Sequence, residues 1–193
     1  MTLFIIGLIV FFGLHIYSAV RSRDPEKDLR ARIGEGPYMG LYSVVSLIGF
    51  VMIIYGYGAT RGAGILYVPP TWTSHINLVL TLPAMILLVA SQVPAGHIKK
   101  VSKHPMLVAI KLWAVGHLLA NGELNSVLLF GSFLAYAVFD RIMVKRRGDN
   151  GPAPDLALKP AMDAMSVLVG LGIWAALAFW LHPILFGVVA VPT

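Results

Sequence analysis

Six histidines and no cysteine set the chemistry open to this chain. Without a thiol there is no disulfide, no thiolate ligand and no cysteine nucleophile. His97 and His104 lie among Lys99, Lys100 and Lys103, where solvation or lipid-headgroup contact is the ordinary role. The other four fall inside apolar runs or at their edges: His15, His75, His117 and His182. An ionisable group at membrane depth costs on the order of 3 kcal/mol unless it is satisfied, so each is a candidate for function. His15 sits near the charged end of the first run. His117 has Gly116 beside it, which allows close approach, and Trp113 one turn earlier as an aromatic wall.

Two imidazoles on separate helices, with no carboxylate or thiolate nearby in sequence, suit a haem iron better than zinc. For each the competing reading is an imidazole hydrogen-bonded to a neighbouring helix. Lys111 reads as a side chain snorkelling to the interface. His75, Asn77 and His182 fall near the opposite boundary, where polar groups are inexpensive. Trp72, Trp174 and Trp180 read as interfacial or packing aromatics. Nucleophile elbow, phosphate-binding glycine loop and HExxH motifs are all missing from the sequence.

The elements that position these groups are apolar. The chain has 193 residues, 58% of them hydrophobic and 12% charged, with a mean hydropathy of +0.79. That is too apolar for an ordinary soluble domain. Runs at residues 3–20, 38–57, 75–93, 124–144 and 165–188 match the roughly 20 residues needed to cross a bilayer. A sixth run, 106–121, is short and holds Lys111.

Thirteen of the fifteen Lys and Arg residues lie in three segments, 21–32, 99–103 and 141–159. Only with the sixth run counted do all three fall on one side, as the positive-inside rule requires. The expected fold is therefore all-α: a polytopic bundle of about six transmembrane helices, one domain over 1–193. Both termini lie outside and the basic loops in the cytoplasm. The first run has no basic residues before it and reads as a retained span rather than a cleaved leader. The net charge of +6 belongs to membrane-flanking loops and does not point to nucleic acid. Residues 148–160, rich in Gly and Pro, read as a mobile loop, and Asp140 as a partner for Arg141 or Lys145.

Several segments carry a resemblance. They are Phe11-Phe12-Gly13-Leu14-His15, Pro69-Pro70-Thr71-Trp72, Lys103-His104-Pro105-Met106-Leu107, and Leu112-Trp113 through Gly116-His117 to Asn121-Gly122. Together they resemble the NnrU family of bacterial inner-membrane proteins, over nearly the whole chain. The family name refers to expression of nitrite and nitric oxide reductases in denitrification. The plant and cyanobacterial zeta-carotene isomerase is similar to this family and is a haem b enzyme, its iron held by histidines and, in one redox state, a cysteine.

The resemblance implies haem b, with His15 and His117 as axial ligands and Trp113 and His104 as further cofactor-binding residues. It also implies redox or nitric-oxide-linked chemistry, or isomerisation of a lipophilic polyene. Ala114 stands at the cysteine position, so ligand switching is not expected here.

Two other readings compete. His104-Pro105 is similar to a helix-opening motif of membrane methyltransferases that use S-adenosylmethionine, but the acidic segment those enzymes carry reads Val144-Lys145-Arg146-Arg147-Gly148-Asp149-Asn150 here, with no Glu. A non-enzymatic assembly or regulatory partner of denitrification enzymes is the other. Depth raises one question: at 1.5 Å per residue His15 lies roughly 9 Å from Arg21 and His117 roughly 18 Å from Pro105.

Overall fold

A computed structural model describes residues 1–191. Five helical segments are long and apolar enough to cross a membrane. They are α1 (Thr2–Val20), α3 (Glu35–Ala59), α4 (Thr73–Gln92), α7 (Leu124–Arg146), and α8 (Pro160–Ala176) continued through a π turn (Leu177–Leu181) and α9 (His182–Phe186). The short apolar helix α6 (Pro105–Ala120) supplies the sixth rod. Two small helices, α2 (Leu29–Ile33) and α5 (His97–Ser102), lie in the connections. The protein is an all-α polytopic membrane bundle. Its three Lys/Arg-rich segments gather at one end of the rods, called here the basic end.

Local chemistry sets the boundaries. Pro105 and Pro160 open α6 and α8, where a missing N–H goes unmissed. Asp28 caps α2 by accepting from the Arg30 amide. Asp163 reaches from α8 to accept the His97 and Ile98 amides at 2.8 and 2.9 Å, capping α5 from another element. At the opposite end Gly122 turns the chain between α6 and α7. The Leu66 amide donates to its carbonyl at 2.8 Å, and a Cβ there would meet the Tyr67 carbonyl at 1.8 Å.

The rods pack in the order α3–α1–α7–α6–α4–α8. Glycines set several of these seams, since helices in lipid gain by close backbone approach rather than by escaping water. A Cβ on Gly56 of α3 would lie 2.6 Å from the Phe4 Cα of α1. On Gly170 of α8 it would lie 2.6 Å from the Ile86 Cα of α4. At the non-basic end Arg61 donates to the Phe186 carbonyl, tying the last helix to the chain after α3. Large apolar side chains such as Leu47, Val51, Ile54 and Leu168 stay exposed on α3 and α8, as a lipid-facing surface requires.

Two sequence expectations change at the basic end. Residues 148–160 are anchored: His104 Nε2 donates to the Asp149 carbonyl at 3.2 Å, Lys100 to that of Pro154 at 3.1 Å, and the Lys159 amide to that of Ala95 at 2.9 Å. Asp140 faces Arg147 at 3.9 Å rather than Arg141 or Lys145. The reason is that Arg147 is already drawn to the end of α1, donating to the Ala19 carbonyl at 2.6 Å.

Replacing Gly56 with Leu should force α1 off α3 and lower stability by about 1–3 kcal/mol, read as a lower thermal midpoint in detergent. Gly58→Leu, with nothing within 4 Å, should change little; equal losses would show that the seam is not close-packed. A second prediction concerns pH. Arg21 donates to Asp28 and holds its carboxyl below the usual carboxylate range. The stability from this pair is therefore full above the ordinary Asp value of about 3.9 and lost as pH falls through the depressed native value. Asp28→Asn should flatten the acid limb of a stability–pH profile, and an unchanged limb would show that the pair contributes nothing.

Candidate functional site

Two intramembrane histidines share one local device. In α6 the His117 Nδ1 lies 2.8 Å from the Trp113 carbonyl. In α1 the His15 Nδ1 lies 2.6 Å from the Phe11 carbonyl. A carbonyl can only accept, so in each ring Nδ1 carries the proton. In the neutral imidazole that leaves the lone pair on Nε2, and among the described residues no hydrogen bond engages Nε2 of either ring. A donor bond of this kind from the far nitrogen fixes the tautomer and orientation of a metal-binding histidine.

Each ring sits in aromatic company. His117 stacks on Phe130 of α7, with centroids 4.5 Å apart at 26°, and lies 5.2 Å from Trp113. His15 lies 4.2 Å from Phe11, 5.4 Å from Tyr42 of α3 and 5.6 Å from Tyr136 of α7. Between the two levels Phe133 of α7 packs on Phe11, Phe12 and Trp113, at 5.9, 4.9 and 5.4 Å. The histidines thus stand at opposite edges of one aromatic layer shared by α1, α6 and α7.

The His117 level extends to α4 and α8. Asn77 of α4 approaches Gly116 so closely that a Cβ there would meet Asn77 Oδ1 at 2.5 Å. That Oδ1 is buried without a hydrogen-bond partner. One turn on, Thr81 accepts from Trp174 Nε1 of α8 at 3.2 Å. Just beyond Trp174 the chain widens into the π turn at Leu177–Leu181, a distortion frequent at functional sites. His182 follows it, its Nδ1 donating to the Val188 carbonyl at 2.8 Å.

His15, His117 and Trp113 therefore border one aromatic layer, whereas His104 does not reach it. His104 lies at the basic end, half-buried, its ring held by the Asp149 carbonyl and 3.7 Å from the Asp149 carboxylate. Thirteen residues of α6, roughly 20 Å of rise, separate it from His117. Sequence reasoning passed over Phe130, Phe133 and Thr81, and gave Asn77 no role beyond a polar group near the boundary. Asn77 carried a signal as an amide at span depth; the aromatics, in chains this apolar, carried none. Among the described residues no three His, Asp or Glu side chains converge on a metal-sized space.

The donor chemistry fits a haem iron: two neutral imidazoles with free Nε2 atoms in an apolar, aromatic setting. As packed, Phe133, Phe11 and Trp113 fill the layer between the rings. Ligation by both histidines at once would need those rings to turn aside.

No curated protein and no solved structure matches the chain. The family model described as NnrU protein matches residues 3–190. A match over nearly the whole chain places it: this polytopic bundle belongs to the NnrU family.

Proposed function

We propose that this protein is a haem b-binding, multi-pass protein of the bacterial inner membrane, with its basic end in the cytoplasm and His117 and His15 as iron ligands. The observation that carries the reading is the shared device: each imidazole donates through Nδ1 to the carbonyl one turn earlier and keeps Nε2 free. The charge pattern supports the orientation, since basic connections stay on the cytoplasmic side.

When bound, haem would supply a redox-active iron for chemistry linked to nitrite and nitric oxide reduction, or for isomerisation of a lipophilic polyene. The chain's own contribution is positional. The Trp113 and Phe11 carbonyls fix the two tautomers. Phe130 and Phe11 hold the ring planes. Asn77 Oδ1, beside Gly116, offers an acceptor to a polar group of a bound molecule at the His117 level. His104, committed to the loop at Asp149, is left to hold that loop rather than S-adenosylmethionine.

The test is a visible spectrum of protein expressed with ample haem and purified in mild detergent. A Soret band is expected, and its absence would overturn the reading. His117→Ala should remove the band or convert it to high spin. His15→Ala should convert low spin to high spin if both rings bind one iron, and leave the spectrum unchanged if His117 acts alone. An unchanged spectrum in both single variants would place the ligand elsewhere.

A further inference from the structure

One polar cluster plays no part in the aromatic layer. Lys111 of α6 and Arg141 of α7 stand on packed, antiparallel helices. Lys111 lies six residues from the start of α6 and Arg141 five residues before the end of α7. At 1.5 Å per residue both are roughly 8–9 Å from the basic end, at one depth. Arg141 is the neighbouring charge that Lys111 feels. Lys145 follows on the same face of α7, one turn nearer the basic end, and is exposed.

Like charges at one depth in an apolar seam repel, so a partner of opposite sign is expected, and the described residues supply none. Asp140, adjacent to Arg141, is engaged by Arg147. Among the described residues neither Lys111 nor Arg141 forms an ion pair, and Arg141 Nη1 is buried without any hydrogen-bond partner. A buried guanidinium nitrogen left unsatisfied is costly, more so than a neutral group.

The direction of the cluster narrows its ligand. Residues two apart on a helix point about 200° from each other, so Lys111 faces away from Trp113 and the aromatic layer. Lys111 is itself only half-buried. We propose that Lys111 and Arg141, with Lys145 beneath them, form a binding site for the phosphate of an anionic phospholipid in the leaflet at the basic end, its acyl chains lying along α6 and α7. Basic pockets between helices at that depth recognise such headgroups, each cation contributing through its charge. The planar guanidinium fork matches a phosphate bidentately.

The experiment is native mass spectrometry of the full chain released from detergent containing equal phosphatidylglycerol and phosphatidylcholine. Wild type should retain phosphatidylglycerol with a preference of about tenfold or more. Lys111→Gln/Arg141→Gln should abolish the preference. Lys27→Gln/Arg32→Gln, which removes equal charge from exposed positions at the same end, should keep it. Should the double variant fold poorly, Lys111→Met alone should still reduce the preference several-fold. No preference in wild type, equal loss in the Lys27/Arg32 control, or displacement of the lipid by millimolar inorganic phosphate would overturn the proposal. A Soret band lost from the Lys111/Arg141 variant would also overturn it, by assigning the cations to haem carboxylates. Retention of lipid selectivity in haem-free protein keeps this outcome separate from the fate of the haem reading.

Discussion

Every polar atom that enters the apolar zone must find its partner inside the chain, because lipid offers none. Most do so within one turn. Thr60 donates to the Gly56 carbonyl, Thr81 to that of Asn77 and Ser166 to that of Met162. Tyr57 and Ser126 meet across helices at 3.0 Å. His15 and His117 follow the same local habit with one nitrogen each. Against that background the unpartnered atoms stand out: the two Nε2 positions and, buried, the Asn77 oxygen, Arg141 Nη1, Arg21 Nε and the Tyr38 hydroxyl.

The seams explain why the histidines end where they do. Gly7, Gly49 and Gly56 bring the first half of α1 against the second half of α3, so α1 has little freedom to rotate there. That fixes Phe11 and Phe12 toward α7 and carries His15 with them. Gly116 does the same for α6 against α4, which leaves Trp113 and His117 directed at α7. The aromatic layer is thus a consequence of glycine placement on its flanking helices, and bulk added at those glycines would disturb ring positions several residues away.

How much of this was legible in the sequence differs by level. Helix number and the common basic end followed from run length and from Lys and Arg placement, because both report on transfer between water and lipid. The pairing of Asp140 was not legible: it depended on Arg147 reaching the end of α1, a contact 128 residues apart in sequence. The anchoring of residues 148–160 was hidden for a similar reason, since Gly and Pro announce a turn but not the Lys100 and His104 side chains that tie it down. Of the site, the intramembrane histidines and Trp113 were visible as residue types at depth. Their aromatic neighbours were not, since Phe130 and Phe133 look like any other apolar residue of a span.

The depth mismatch between the two histidines finds its physical account on α7, which touches both. His15 packs beside Tyr136 and His117 beside Phe130. Six residues of α7, roughly 9 Å, separate those levels. The difference in depth counted along α1 and α6 is therefore real in direction. Two rings offset along the bundle axis can still serve one metal, provided the group they share lies across the axis rather than along it. Helical side chains lean toward their own N-termini, so in the antiparallel pair α1 and α6 the rings incline toward each other, across Phe133. The layer between them, lined on α1, α6 and α7 alike, is where a flat apolar molecule would have to enter, and Phe133 is the side chain that decides whether it can.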